Sequence, residues 1–257
     1  MKRLLVLCCA TVALAGAAAT STSSASSQAA GRFVVVFAPP RNADERFLVQ
    51  LLRAAQLPMV FGELSKALIL PRNLTIRVQG GPDGPYYNPR TRTIILNHQF
   101  SALVLNVFQK EYPKITPRRL GELFAELEYF VLFHEVGHAL VDQWDLPVLG
   151  REEDAVDAFS TIFMTEFVNE GEFALAGADF FYYLAGTGKL SEVQFADEHS
   201  FDKQRAYSIA CWVYGSNTTR YAFLKTVLPV SRRVRCPDEY RKLKKAWFSL
   251  LKPHIRS

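Results

Sequence analysis

The sequence predicts an α+β fold, with a small N-terminal β-sheet followed by a mainly helical C-terminal half. Short segments rich in valine, isoleucine and leucine, which are typical of strands, occur at residues 32–38, 74–78 and 93–97. From residue 116 onward, apolar residues recur mainly at the three- and four-residue spacing of helices. Hydrophobic residues make up 49% of the chain, which is enough to form a core.

Prolines and a capping residue bound the first elements. Residues 32–38 form a predicted buried strand that ends at a Pro-Pro pair. Asn42 should cap a helix that extends to about Ala55. The segment 59–70 is less clear, and we expect a helix that stops at the following proline. The residues expected to face inward from the first helix are Phe47, Leu48, Leu51 and Leu52.

Two further strands flank a turn-rich loop. Residues 74–78 alternate in polarity and residues 93–97 form another apolar run. Between them, residues 80–85 contain three glycines and two prolines, a composition typical of a loop. Tyr86 and Tyr87 follow this loop. They could line a binding cleft or pack at the entrance of a strand, and both interpretations stay open.

A long helix in the middle of the chain carries two histidines on its apolar side. Thr116 is a suitable cap and Pro117 suits the first helical position. The helix should end before Pro147. His134 and His138 continue its apolar stripe. The other members of the stripe are Leu120, Leu123, Phe124, Leu127, Phe130, Val131 and Val141.

This helix contains the pattern His-Glu-x-x-His, which is typical of zinc-binding helices in metalloproteases. His134, Glu135 and His138 occupy its defined positions. Residues four apart lie one turn apart on the same face, so the two imidazoles can reach one metal ion. Glu135 lies beside them and can act as a general base toward an attacking water. The alternative is two ordinary histidines on a half-buried helix.

An acidic segment follows at a distance suited to a third metal ligand. After a turn that closes at Gly150, a second helix should return antiparallel to the first. Glu153 and Asp157 are four apart and share a face, so we assign Glu153 to the metal and Asp157 to the orientation of a ligand histidine. Glu152 or Asp154 stays an alternative ligand. These acids could instead serve only to stabilise the helix N-terminus.

Together the two motifs resemble the gluzincin class of zinc peptidases, in which His-Glu-x-x-His is followed by Glu-x-x-x-Asp. Residues 133–140 and 145–155 are more similar still to a bacterial family described as metallopeptidases of unknown function. That similarity extends to residues 204–205, 211–215 and 236–240. The resemblance implies a zincin-like fold, a Zn²⁺ cofactor and a peptide or protein substrate. In such folds an edge strand aligns the substrate backbone by strand addition.

The N-terminus has the features of a secretory signal peptide, which we place at residues 1–19. Lys2 and Arg3 form a charged start, an apolar core follows, and small residues end the segment. Residues 20–30, rich in Ser, Thr and Ala, should form a disordered linker before a zincin-like metallopeptidase domain at 31–257. Loss of the two basic residues lowers the formal net charge from +5 to +3. We therefore predict an exported protein, periplasmic or secreted.

Removal of the signal leaves Cys211 and Cys236 as the cysteines of the mature chain. An exported chain meets oxidising conditions, so we predict a disulfide between them. The bond would fasten the C-terminal helix to the helix that follows His199. The alternative is a pair of separate buried thiols.

A second catalytic group is expected in the segment that leads into this helix. Peptide hydrolysis develops negative charge on the former carbonyl oxygen, which a His, Tyr or Arg donor would stabilise. His199, Arg205 and Tyr207 are the candidates. Each could instead be an ordinary surface or buried hydrogen-bonding residue.

The C-terminal segment is strongly basic. Residues 231–257 contain nine Arg or Lys against Asp238 and Glu239. Apolar residues recur there at helical spacing, which predicts an amphipathic helix docked on the body. Its basic face could make weak contact with anionic envelope components. No nucleic-acid-binding motif accompanies the charge, so we expect no nucleic-acid partner.

Two functional hypotheses follow from these patterns. The first is an exported zinc peptidase in which His134, His138 and Glu153 bind the metal and Glu135 is the general base. The second is a non-catalytic envelope binding protein with a structural zinc site. Structural sites are usually closed by four protein ligands, so a fourth ligand such as Asp157 would favour it.

Overall fold

The computed structural model describes residues 30–186 and 197–256. The predicted signal peptide at 1–19 and all but the last residue of the predicted linker lie outside the described residues. Among the helices that the structure describes, none combines the length and the apolar character needed to cross a membrane.

One mixed sheet lies in the N-terminal part of the chain. Its strands are β1 (Phe33–Phe37), β2 (Leu74–Gln79), β3 (Tyr86–Asn88) and β4 (Thr93–Asn97), in the spatial order β1-β2-β4-β3. β1 and β4 both pair parallel with β2, whereas β3 pairs antiparallel with β4. Three strands match the predicted segments within one residue. The sequence interpretation missed β3, which forms an edge of the sheet.

Three helices accompany the sheet: α1 (Ala43–Ala54), α2 (Leu57–Ala67) and α3 (His98–Glu111). Asn42 caps α1 as predicted, because its side chain accepts a hydrogen bond from the backbone N–H of Glu45. α2 packs against β1 and α3 packs against α1. The sequence interpretation assigned no element to α3.

The inward face of α1 differs from the predicted one. Phe47 was expected to face inward but is 54% exposed. The buried positions of α1 fall at i, i+3, i+4 and i+7, which leaves Phe47 on the neighbouring stripe that borders solvent. The residues at these buried positions are Glu45, Leu48, Val49 and Leu52.

The central element is the long helix α4 (Pro117–Trp144). It begins as predicted: the Thr116 hydroxyl accepts a hydrogen bond from the backbone N–H of Arg119. It ends at Asp145, whose φ of 50° is left-handed and breaks the helical repeat. Every residue from 127–137 is buried, so both sides of α4 are covered by protein. A helix covered in this way can hold polar groups away from water.

The C-terminal half packs helices around α4. They are α5 (Glu152–Glu166), α6 (Glu172–Leu184), α7 (Asp202–Ser216), the short α8 (Val230–Arg233) and α9 (Cys236–Leu251). α4 contacts α5 and α6, while α7 contacts α5, α6 and α9. The α+β fold with a helical C-terminal half is therefore confirmed.

Two close helix contacts depend on glycine. A Cβ at Gly137 of α4 would lie 2.8 Å from Cβ of Val156 on α5. A Cβ at Gly215 of α7 would lie 2.3 Å from the carbonyl oxygen of Cys236 on α9. The absence of a side chain lets each helix pair approach closely, and the first pair is the one that carries His134, His138 and Glu153.

The Cys211–Cys236 disulfide joins α7 to the start of α9. Both cysteines are fully buried. The predicted bond is therefore confirmed, and it fastens the C-terminal helix as expected. Trp247 reinforces this docking by donating a hydrogen bond to the carbonyl oxygen of Ala155 on α5.

Candidate metal centre

The two histidines of α4 face the same point. Nε2 of His134 lies 3.3 Å from Nε2 of His138. The His134 side chain is 7% exposed and that of His138 is 17% exposed. Their four-residue spacing places them one turn apart on one face, as predicted.

Glu153 faces both imidazoles from α5. Its Oε2 lies 3.1 Å from Nε2 of His134, and its Oε1 lies 3.3 Å from Nε2 of His138. The close α4–α5 contact at Gly137 makes this approach possible. Three side chains from the two predicted motifs are thus brought together.

The second ring nitrogen of each histidine has its own carboxylate. Nδ1 of His134 lies 2.8 Å from Oδ1 of Asp157, and Nδ1 of His138 lies 2.7 Å from Oε1 of Glu152. An Nδ1–H that donates to a carboxylate leaves the Nε2 lone pair free for a metal. Glu152, an alternative ligand in the sequence, instead orients His138. Asp154, the other alternative, lies on the exposed side of α5.

Arg205 lies behind Asp157. It donates two hydrogen bonds to this carboxylate, from Nε to Oδ2 at 2.8 Å and from an Nη to Oδ1 at 2.9 Å. Its guanidinium also stacks over the ring of Phe181, 3.8 Å from the centroid. The sequence suggested Arg205 as a donor to a reacting carbonyl. The geometry instead places it as a support for His134.

His199 lies at the same centre as the two histidines of α4. Its Nε2 is 3.0 Å from Oε2 of Glu153, and its Nδ1 is 2.9 Å from Oδ1 of Asp197. One ligand atom each from His134, Glu153 and His199 lie within 4.8 Å of one another. Arg151, the residue before α5, donates to the carbonyl oxygen of His199 at 2.7 Å.

Tyr207 lies elsewhere. It lines a cavity of about 510 Å³ between α7 and the C-terminal helices. Other residues lining this cavity are Asp154, Ser200, Lys203, Trp212, Arg232 and Glu239. Of the three candidate carbonyl donors, His199 therefore faces the centre, Arg205 supports it and Tyr207 lines a different cavity.

Glu135 lies on α4 between the two histidines in sequence. It is 6% exposed, and burial raises the pKa of its carboxyl above the usual range. The imidazoles of His134 and His138 and the backbone N–H of Tyr87 act in the opposite direction. A carboxyl with a raised pKa accepts a proton more readily, which suits a general base.

The edge strand β3 lies beside Glu135 because it packs on α4. The Tyr87 hydroxyl donates a hydrogen bond to Oδ2 of Asp142, at 2.7 Å, and so ties β3 to the helix. Tyr86 is 40% exposed. The two tyrosines thus differ: Tyr87 packs against the helix, and Tyr86 is open to solvent.

The charges of the centre favour ionised carboxylates. Burial opposes ionisation of Glu153, but the imidazoles of His134, His138 and His199 hold its pKa below the usual range. Burial likewise opposes ionisation of Asp157. The positive charge of Arg205 outweighs the effect of burial and keeps the pKa of the Asp157 carboxyl low. Burial opposes protonation of His134 and His138, but the surrounding carboxylates outweigh burial and raise the pKa of both imidazoles, that of His138 to about 9. Zinc binds neutral imidazoles, so its binding would release protons.

The donor set fits one metal ion. Oε2 of Glu153 is buried, and imidazole nitrogens of His199 and His134 lie 3.0 and 3.1 Å from it. Tetrahedral zinc has bonds of about 2.0–2.1 Å, which separates its ligand atoms by roughly 3.3 Å. The separations of 3.0–3.3 Å seen here match that geometry.

The sequence interpretation missed three supporting residues. Asp197 was not recognised as the partner of His199, although it lies only two residues before it. Arg151 was placed only at the start of the second helix, with no contact to His199 expected. The backbone of Tyr87 approaches Glu135 because β3 forms, and nothing in the local sequence indicated that strand.

Comparison with known proteins supports the same chemistry. A family model described as "Putative metallopeptidase" matches residues 37–251. No match was found among curated proteins or among solved structures.

Proposed function

Because this chain belongs to that metallopeptidase family, we propose that it is an exported zinc-dependent peptidase with Glu135 as its general base. The observation that carries the proposal is the convergence of His134, His138 and Glu153, with Glu135 buried beside them. The substrate is a peptide or a protein.

His134, His138 and Glu153 would hold the metal. The bound zinc supplies a Lewis acid that polarises the scissile carbonyl and lowers the pKa of water. Asp157 and Glu152 contact the Nδ1 atoms of the two imidazoles and would so leave both Nε2 atoms available to the ion. Arg205 in turn fixes Asp157.

Glu135 would take the proton of the attacking water at its carboxylate and pass it to the leaving amine. Its burial keeps the carboxylate poorly solvated, which raises its pKa toward the working range of a base. The Tyr87 amide, which lies next to this carboxylate, would help to fix its position.

The edge strand β3 is the proposed docking site for the substrate backbone. It pairs with β4 on one side, and its other side pairs with no strand that the structure describes. A peptide added to that free edge would run close to Glu135. This matches the strand addition expected of a zincin-like fold, which we retain as part of the proposal.

Export is proposed from two features. The sequence begins with a predicted signal peptide, and the chain carries the Cys211–Cys236 disulfide. Disulfides of this kind persist mainly in oxidising compartments such as the periplasm or the extracellular space. We propose either of these locations.

Contact of the basic C-terminal helix with anionic envelope components stays a prediction. Several of its charges are already paired: Lys242 and Arg241 with Asp238, and Lys244 with Glu166. Such pairing leaves less positive charge for a partner, so any contact should be weak and sensitive to salt.

The alternative is a non-catalytic protein with a structural zinc site. A fourth metal ligand such as Asp157 would favour it. Asp157 is instead engaged by Nδ1 of His134 and by two hydrogen bonds from Arg205. Glu135 has no purpose in a purely structural site. Both points favour the enzyme.

The test is a peptide-library digestion by the mature protein with and without a zinc chelator. Wild type should cleave, chelation should stop cleavage, and zinc should restore it. Glu135→Gln should retain zinc but lose cleavage by at least about 100-fold, since a general base contributes 10²–10⁴-fold. Equal cleavage by Glu135→Gln and wild type would contradict the assignment of the base.

A further inference from the structure

We infer that His199 is a fourth ligand of the metal in the resting protein, so that three imidazoles and one carboxylate hold the ion. The inference rests on the proposed function only in that the centre holds a metal. It adds the number and identity of the protein ligands.

All three histidines of the centre are held in the same way. Each Nδ1 lies against its own carboxylate, at 2.8 Å for His134, 2.7 Å for His138 and 2.9 Å for His199. Each Nε2 then faces Glu153, at 3.1, 3.3 and 3.0 Å respectively. A carboxylate on the second ring nitrogen is the usual support of a metal-bound histidine. His199 therefore has the same arrangement as the two ligands of the motif.

The contact between His199 and Glu153 is short, at 3.0 Å, and the same Oε2 of Glu153 is 3.1 Å from Nε2 of His134. Without an ion, protonated imidazoles hold this carboxylate by side-chain hydrogen bonds. An ion bound by the same nitrogen and oxygen atoms would take the place of the shared protons. One ligand atom each from His134, Glu153 and His199 already lie within 4.8 Å of one another, as the ligands of one ion must.

The segment around His199 is fastened to the helix that supplies Glu153. Arg151, at the start of α5, donates to the carbonyl oxygen of His199 at 2.7 Å. The His199 side chain is 40% exposed, whereas those of His134 and His138 are 7% and 17% exposed. His199 thus covers the centre from the solvent side, where a substrate would enter.

A fourth protein ligand on the solvent side would have a consequence for access. Bound to the ion, the imidazole of His199 would occupy the coordination position that catalytic sites leave open for water or substrate. Residues 197–201 have no helix or strand, so a displacement of His199 would not unfold an element.

The experiment counts imidazoles on the metal. X-ray absorption spectroscopy of the zinc-loaded mature protein should give three imidazoles in wild type and two in His199→Ala. Competition with a chromophoric chelator should show a Kd for zinc raised about 100-fold or more in His199→Gln, since even loss of an outer support costs 10–100-fold. Asp197→Asn should raise the Kd about 10-fold.

His254→Ala is the matched control, because this histidine stacks on Trp144 and lies outside the cluster. It should leave both the imidazole count and the Kd unchanged. Two imidazoles in wild type, or an unchanged Kd in His199→Gln, would overturn the assignment. These readings come from the metal and not from catalysis, so they are separate from the peptidase test with Glu135→Gln.

Discussion

Asp157 links Arg205 to His134: its Oδ1 lies 2.8 Å from Nδ1 of His134, and it accepts two hydrogen bonds from the guanidinium of Arg205. The Asp157 side chain is 3% exposed and that of Arg205 is 9% exposed. The pair brings α7 against α5 and sets the orientation of a ring on α4. The same carboxylate therefore joins two helices and orients a proposed metal ligand.

Replacement of Asp157 by Asn should weaken zinc binding by about 10–100-fold. The amide can still accept a hydrogen bond from His134, but it no longer neutralises Arg205 or polarises the ring. Chelator competition measures the Kd, and far-UV circular dichroism checks the fold. Asp154→Asn, on the exposed side of the same helix, is the matched control. Equal zinc affinity in Asp157→Asn and wild type would show that Asp157 does not contribute to zinc binding.

Glu153→Ala should lose zinc affinity far more than Glu152→Ala. Glu153 faces Nε2 of both motif histidines, whereas Glu152 touches only Nδ1 of His138 and is 45% exposed. We expect a loss of 100-fold or more for Glu153→Ala and about 10-fold for Glu152→Ala. The same chelator competition compares the two variants. A larger loss of zinc affinity in Glu152→Ala than in Glu153→Ala would assign Glu152 as the third ligand.

The parts of the fold that could be predicted are those encoded locally. The start of α4 follows from Thr116 and Pro117, and its buried side follows from the apolar stripe. The approach of His134, His138 and Glu153 follows from helical periodicity and a short connection. In each case the residues concerned lie on one helix or on two helices joined by a short connection.

The parts that could not be predicted depend on distant contacts. β3 is an exception: Tyr86–Asn88 pairs with β4 across a turn of only four residues, but a strand of three residues is too short to show an alternating pattern. Arg205 meets Asp157, 48 residues away, only after α7 has packed on α5. The inward face of α1 was misjudged at Phe47, because α1 packs along a different stripe.

Reduction of the Cys211–Cys236 disulfide should destabilise the mature protein by about 3 kcal/mol. The bond closes a loop with a sequence separation of 25, and its loss increases the conformational entropy of the unfolded chain. Urea unfolding with and without reductant measures the change. Cys211→Ala/Cys236→Ala is the control, since reductant should not affect it. An equal urea midpoint of unfolding in reduced and oxidised wild type would show that the disulfide does not stabilise the protein.

The last prediction concerns Glu128, which lies on α4 seven residues before Glu135. Glu128 is fully buried. Burial raises the pKa of Glu128 from 4.5 to about 8, and a hydrogen bond with the Ser101 hydroxyl acts in the opposite direction. Folded protein therefore holds this proton more tightly than unfolded protein does. Between pH 4.5 and 8, this group should lower the unfolding free energy by about 1.4 kcal/mol per pH unit.

Glu128→Gln removes the titrating group while keeping its shape, so the unfolding free energy of the variant should depend less on pH. Relative to wild type, the variant should gain stability between pH 5.5 and 8, on the order of a few kcal/mol. Urea unfolding of both metal-free proteins at several pH values measures the difference. Glu63→Gln, an exposed glutamate paired with Lys66, should follow wild type throughout. If Glu128→Gln and wild type lose stability in parallel as pH rises, Glu128 is already ionised in the folded protein.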